Sequence, residues 1–244
     1  MSDRPENAFL RDLSPQSFAR LREQLGLVEL TLASKLQRNQ IATEWVYFPV
    51  SGLLSLISED GEGQSVETSM AGNEGAAGLL EACGSGVSSV DCVVQVDGRA
   101  WRAPAAHCRH LTASDPAFAA IAWRLIEYQT AECRQSGLCQ AMHSVEQRFA
   151  RWLLESRDRC GGRNPLPITQ EFLAAMLGVQ RTTVSAFAAE LQRKGLISYR
   201  RGRVELIDRE RLEATACECR AVMAEQRQRL GFPALLLEEP TAGK

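Results

Sequence analysis

Histidine is scarce in this 244-residue chain, and all three, His107, His110 and His143, stand outside the strand-rich stretch between residues 30 and 101. A metal enzyme built on a β-barrel needs histidines converging inside that barrel, so a cupin-type reading is excluded. Long apolar runs are missing too. The longer ones, at 117–123 and 234–237, fall far short of the ~20 residues of a spanning helix, so no membrane segment is expected. Residues 1–7 carry mixed charge and lead into no apolar stretch of the kind a secretory signal requires, so export is not expected and the cytoplasm is the expected location. The eight cysteines, at 83, 92, 108, 133, 139, 160, 217 and 219, include no Cys-x-x-Cys pair. In a reducing compartment they read as small buried apolar side chains rather than bridges. Gly72-x-x-Gly75-x-x-Gly78 has neither the dinucleotide-binding spacing nor a P-loop lysine. No nucleophile or general-base pattern stands out, and an enzyme is not expected. Internal repeats and low-complexity tracts are absent.

What the chain does have is an uneven charge. Its formal net charge is −2, yet residues 145–211 hold 13 Lys+Arg against 8 Asp+Glu, whereas residues 1–144 hold 11 against 17. A basic segment in an otherwise acidic protein suits a phosphate-bearing partner without making the whole surface bind polyanions.

The length favours two domains. Ser14 followed by Pro15 reads as a helix start, and Phe18, Leu21 and Leu25 keep helical spacing until Gly26. From about 30 to 101 the pattern turns to short runs, at 44–49, 52–57, 66–70 and 90–96, parted by glycine-rich turns. Such spacing suggests a sandwich or barrel. Ser114-Asp115-Pro116 then opens a long helix on which Phe118, Ile121, Leu125 and Tyr128 share a face. That length suggests pairing of two protomers, with those four residues at the dimer interface. Gly137 weakens the helix locally, and His143 and Ser144 mark a hinge before a capping box at Ser144-Val145-Glu146-Gln147. An amphipathic helix is predicted over 145–159, another over 212–230, and a loose tail from 231 to 244. The boundaries expected are a sensor domain at 1–113, a dimer helix and hinge at 114–143, a DNA-binding domain at 144–211 and a C-terminal helix and tail at 212–244.

The segment 169–194 carries the functional signal. Thr169 is placed to cap a helix over 170–177; Gly178, Val179 and Gln180 form a tight turn; a second helix starts at Arg181. Two helices crossing steeply through three residues need a small residue at the contact, one tolerant of positive φ in the turn, and apolar residues inside. Ala174, Gly178 and the set Leu173, Leu177, Val179, Val184 and Phe187 supply these. On the outward face of the second helix stand Gln180, Arg181, Thr182 and Ser185, all able to address base edges in a major groove, and beyond them Ala189. Strands at 196–199 and 204–207 follow, joined by Arg200-Arg201-Gly202-Arg203. A hairpin tip with three arginines suits a phosphate backbone. Thr169, Thr183, Arg193, Lys194, Arg200, Arg201 and Arg203 are the expected phosphate contacts.

Thr169 to Ile207, with the upstream barrel and long helix, resembles the cyclic-AMP receptor protein and fumarate-nitrate regulator (Crp/Fnr) superfamily over most of residues 30–210. The likeness of the barrel rests on Val46-Tyr47-Phe48-Pro49-Val50-Ser51-Gly52 and on Gly72-Asn73-Glu74-Gly75-Ala76-Ala77-Gly78-Leu79. The resemblance implies an α+β chain: a cyclic-nucleotide-binding-like β-barrel of jelly-roll type, a long dimerisation helix and a C-terminal winged helix-turn-helix. It also implies an effector pocket around Gly75, Ala76, Ala77, Gly78, Ser88 and Ser89. Cyclic-AMP-binding members hold the ribose with a glutamate and the phosphate with an Arg-Ser pair; Ala76 and Ser88-Ser89 stand in those places here. Without the charge-assisted partner of the phosphate, cyclic AMP is not expected to bind, and the effector is unassigned. Thr182 stands where many members place a glutamate, so the half-site is left open.

The partners expected are double-stranded DNA, a second copy of the chain and RNA polymerase, with no membrane and no cofactor. Two other readings stay open: a haem- or metal-dependent sensor using residues such as His107-Cys108-Arg109-His110, and an effector-independent regulator whose barrel is a scaffold. Cys133 and Cys139 lie about 240° apart around a helix and cannot share an intrahelical site. Cys217-Glu218-Cys219 is a weak redox candidate, and no metal site is expected.

Overall fold

The computed structural model describes residues 6–232, so residues 1–5 and the expected tail from 233 to 244, with its apolar run at 234–237, lie outside the described residues. The chain packs as two compact units. One comprises the residues up to Ser58 together with Ser69–Thr130, the other Glu59–Thr68 and the residues from Ala131 on.

The first unit begins with helices α1 (Ala8–Asp12) and α2 (Pro15–Arg22). The Ser14 hydroxyl accepts the Ser17 N–H and Pro15 occupies the first turn of α2, as the Ser-Pro signature predicts. Five residues are too few for periodicity to reveal α1. Its Asn7 cap is fixed by amide donation to the carbonyls of Pro49 and Gly75, each at 2.9 Å. Strands β1 (Gly26–Leu30), β2 (Lys35–Gln37), β3 (Trp45–Glu59), β4 (Ser65–Ala71) and β5 (Asp91–Pro104) follow, with helix α3 (Leu79–Cys83) before β5 and α4 (Ala105–Ser114) after it. They form an antiparallel sheet in the order β1-β5-β3-β4, with β2 also on β5.

The runs expected at 44–49 and 52–57 are one strand. Its register against β5 shifts between Pro49 and Leu54, and Gly52 sits there at φ +84°. A Cβ at Gly52 would lie 2.5 Å from the Val96 carbonyl oxygen. The glycine therefore lets the strand bulge and continue instead of ending. Leu30, Tyr47, Leu54, Ala77, Val94 and Ala100 form part of the core beneath.

Helix α5 (Pro116–Met142) runs unbroken through Gly137. Asp115 starts it by accepting the N–H groups of Ala117 and Phe118. The face assigned to dimerisation is corrected by burial. Phe118, Leu125 and Tyr128 are inside the protomer at 0%, 1% and 2% exposure, and Ile121 is half-buried. Phe118 meets Phe9 edge-on at 5.8 Å, and Phe9 stacks on Phe48 at 5.3 Å. An apolar stripe at helical spacing says that something apolar covers it; here it is the protomer's own first unit. The outward line of α5 carries Ala120, Trp123 and Glu127, and Trp123 is 52% exposed.

The second unit contains α6 (Val145–Arg159), β6 (Leu166–Pro167), α7 (Gln170–Leu177), α8 (Arg181–Arg193), β7 (Ile197–Arg200), β8 (Arg203–Leu206), α9 (Arg209–Thr215) and α10 (Cys219–Arg229). Both halves of the capping box at Ser144 and Gln147 are formed. Trp152 of α6 is buried, and its indole N–H donates to Glu67 at 2.8 Å. The buried Asp158 carboxylate is gripped by Arg209 at 2.8 Å and Arg220 at 2.7 Å, tying α6 to α9 and α10. The single helix expected over 212–230 is two. Ala216 leaves the helix with φ −69° and ψ 156°, and Cys217 in the link and Cys219 at the start of α10 are both buried. No glycine or proline marks this break, so the pattern is silent about it. Among the described residues no single helix is long and apolar enough to cross a membrane.

Candidate nucleic-acid interface

Helices α7 and α8 meet at a bend of 109°, within the range of a helix-turn-helix. Thr169 caps α7 by accepting the Phe172 N–H at 3.1 Å. Gly178 ends α7 at φ +62°, the left-handed value that a side chain would oppose. Arg148 of α6 donates to the Leu177 carbonyl at 2.9 Å, placing a cation at the negative end of α7. On α8, Val184, Ala188 and Leu191 point inward and are buried. These contacts fix which side of α8 faces out.

That side holds the residues the sequence singled out. Gln180, Arg181 and Thr182 are exposed at the N-terminus of α8, and Thr183 is half-buried beside them. Ser185 is half-buried, its hydroxyl 2.6 Å from Gln170 Oε1 and 3.0 Å from the Arg181 carbonyl. It is therefore engaged inside the motif and less available than Thr182. Ala186 was missed. It lies one turn from Thr182, in line with Ala189, and both alanines are exposed; continuing the spacing from Thr182 would have found it.

Strands β7 and β8 form a hairpin, with Arg200 opposite Arg203. The connection is two residues, Arg201 at φ +50° and Gly202 at φ +71°, the turn whose twist matches paired strands. Strand β6, too short to signal itself, adds to β8 through Leu166 and Pro167. Tyr199 braces the wing: its hydroxyl donates to the Ile168 carbonyl at 2.9 Å, and burial pushes its pKa up to about 12. Between wing and helix lies a cleft of about 340 Å³ lined by Thr169, Gln170, Glu171, Arg181, Tyr199, Arg201 and Gly202.

The cations divide into two groups. Arg181, Arg200, Arg201 and Arg203 are exposed, and their side chains make no hydrogen bond or ion pair among the described residues. Arg193 and Lys194 do not present free charge: Arg193 pairs with Glu190, and Lys194 with Glu146 at 3.0 Å and Glu190 at 3.4 Å. The hydrogen bond from Arg193, with Lys194, holds the Glu190 carboxyl below its usual range. Of the seven residues expected at phosphates, Arg193 and Lys194 thus already have carboxylate partners, whereas Arg200, Arg201 and Arg203 have none among the described residues.

The glycine-rich loop assigned to an effector is closed on itself. Ala76 and Ala77 are buried at 0% and 1% exposure. The Ala76 carbonyl accepts from Gln129 at 2.7 Å, and Ala77 and Tyr47 exchange two backbone hydrogen bonds at 2.9 Å. A Cβ at Gly78 would meet the Trp45 carbonyl oxygen at 2.6 Å, and Leu125 packs beside Gly75. The Ser88 hydroxyl is taken by the Val90 carbonyl at 2.7 Å and by the Gln37 amide at 3.0 Å, whereas Ser89 is exposed. His107-Cys108-Arg109-His110 lies on α4 rather than in a loop. Cys108 is buried while His110 is exposed, so these residues do not converge.

One group of side chains escaped the sequence reading. Cys139 and His143 come together with Cys217 and Cys219. The spacing of Cys139 and His143, one helical turn, was the available signal.

Residues 147–215 match the family model described as the Crp-like helix-turn-helix domain. Among curated protein sequences none matches the chain significantly. The solved structures similar in fold include the following three. A protein assigned to the Crp/Fnr family of transcriptional regulators from Eubacterium rectale is 21% identical with a TM-score of 0.67, over 84% of this chain and 95% of that one. FixK2 from Bradyrhizobium japonicum is 15% identical with a TM-score of 0.68, over 79% and 98%. A Crp/Fnr-family transcriptional regulator from Thermus thermophilus is 22% identical with a TM-score of 0.63, over 78% and 98%.

Proposed function

We propose that the chain, whose residues 147–215 match the Crp-like helix-turn-helix domain, is a transcriptional regulator of the Crp/Fnr type and binds a two-fold symmetric duplex DNA site as a homodimer. The observation that carries this reading is a set of four arginines without a side-chain partner among the described residues: Arg181 at the N-terminus of α8 and Arg201 at the hairpin tip line one cleft, and Arg200 and Arg203 stand exposed opposite each other next to that tip. Four exposed like charges gathered there repel one another and gain little within the protein. Duplex phosphates relieve that repulsion and release counterions.

In this reading the N-terminal turn of α8 enters the major groove. Arg181 addresses guanine with two donors, Gln180 addresses adenine, and Thr182 contacts a base edge or a thymine methyl. Ser185 and the exposed Ala186 set the closeness of approach. Thr169, Thr183 and the wing arginines hold the phosphates and fix register rather than sequence. Trp123 and its neighbours on α5 form the dimer contact, and the two recognition helices lie one DNA turn apart, roughly 34 Å.

The first unit acts as the sensor. Its tightly packed glycine-rich loop and the serines Ser88 and Ser89 in place of an Arg-Ser pair support an effector other than cyclic AMP. RNA polymerase as the partner and the cytoplasm as the place of action complete the reading. Selection of bound duplexes from a random pool tests it. An inverted repeat should emerge with wild type and not with Arg181→Ala; enrichment of no common sequence would refute it.

A further inference from the structure

The four side chains Cys139, His143, Cys217 and Cys219 present one sulfur or nitrogen each, all within 4.8 Å of one another. Cys139 and His143 stand one turn apart at the end of α5, Cys217 lies in the link after α9, and Cys219 opens α10. All three cysteines are buried. The Cys139 and Cys217 sulfurs are 3.5 Å apart, and Cys219 Sγ lies 3.5 Å from His143 Nδ1. In a tetrahedral zinc centre with bonds of about 2.3 Å to sulfur and 2.0–2.1 Å to nitrogen, the S···S edges are about 3.8 Å and the S···N edges about 3.5 Å. One S···S and one S···N separation are thus near the edges such a centre requires, and no pair of donors is more than 4.8 Å apart.

We infer that Cys139, His143, Cys217 and Cys219 bind a single zinc ion as a closed Cys3His site. The surroundings are those of a built site. His143 coordinates through Nδ1, while its Nε2 is 3.1 Å from the Glu218 carboxylate, the outer partner that fixes the tautomer of a ligating histidine. The Gln135 amide donates to Cys219 Sγ at 3.1 Å. Three thiolates, a neutral imidazole and Zn2+ carry one net negative charge. The guanidinium groups of Arg148 and Arg151 lie within electrostatic reach of Cys139 and offset it. Binding releases the three thiol protons to solvent and changes no oxidation state. Thiolate-rich tetrahedral sites select zinc among the common divalent ions. Four protein ligands leave no position for substrate, so the site is structural: it clamps the last turn of α5 to the link before α10. This inference does not depend on the DNA-binding reading, and its test measures no DNA affinity.

The full chain, purified anaerobically without chelator, is assayed for metal and by X-ray absorption at the zinc edge. About one zinc per chain is expected, with three sulfurs at about 2.3 Å and one nitrogen at about 2.0–2.1 Å. The double variant Cys217→Ser, Cys219→Ser should lose the metal, whereas Cys133→Ser, at an exposed cysteine, should keep it. Wild type stripped by a chelator needs no substitution: its melting temperature should fall and recover with added zinc, and cobalt(II) should give thiolate charge-transfer absorption. Zinc no higher in wild type than in the double variant, with no cobalt-thiolate absorption in the reduced protein, overturns the inference. So does a Cys139–Cys217 disulfide found in place of metal, or iron with acid-labile sulfide.

Discussion

Replacing Arg201 by asparagine separates the electrostatic role of the wing from its structural one. Arg201 occupies the first central position of a two-residue hairpin turn at φ +50°, ahead of Gly202. Asn-Gly is the pair such turns favour, so Arg201→Asn keeps or improves the turn while removing one exposed charge per protomer. In a dimer two phosphate contacts disappear. At about 0.9 per contact, the slope of log affinity against log salt should become shallower by about 1.8. Between 50 and 200 mM salt the advantage of wild type over the variant should therefore shrink by about 12-fold. Fluorescence anisotropy on a selected duplex, read over that range, gives both lines. The melting temperature of the variant should equal or exceed that of wild type. Parallel salt lines would refute the placement of Arg201 on a phosphate. A lower melting temperature together with the affinity loss would show that the residue serves the fold instead.

Other consequences are equally direct. Thr182→Ala should cost about 1–3 kcal/mol at one base pair of each half-site and relax preference there alone, which binding to single-position variants of the site measures. Trp123→Glu should shift sedimentation toward monomer with little change in melting temperature. Phe118→Ala should leave the oligomeric state intact and destabilise the fold by about 3–5 kcal/mol, read by denaturant unfolding. At Asp115, burial opposes the charged carboxylate, but the Phe118 N–H, the Ser17 hydroxyl, the Ala117 N–H and Arg20 outweigh it and lower its pKa below 3.8. A depressed carboxylate stabilises the fold above its unfolded pKa and loses that contribution as pH falls through the folded one. The gap in melting temperature between wild type and Asp115→Asn should thus be full at neutral pH and close as pH falls below 3.8.

The parts of the fold that were legible in the sequence are those set by local chemistry. The Ser14-Pro15 start, the Ser144 capping box, the Thr169 cap and Gly178 each solve a backbone problem within a few residues, and each is found where the sequence places it. The hidden parts depend on distant partners. Phe118 and Leu125 signal an apolar face but not its cover. Strand β6 exists only because β8 offers an edge. Gly52 punctuates β3 without ending it, since β5 continues beside it. The pairing of Arg193 and Lys194 with Glu146 and Glu190 is likewise invisible to a count of charges. Cys139 and Cys217 are 78 residues apart, and nothing local announces that they meet.

Methylation protection of a selected duplex tests the placement of α8 most directly, because guanine N7 lies in the major groove and adenine N3 in the minor. Wild type should protect guanine N7 at matching positions of both half-sites, and Arg181→Ala should lose that protection while the flanking pattern stays. Protection confined to adenine N3, or unchanged in Arg181→Ala, would contradict a recognition helix led by Arg181.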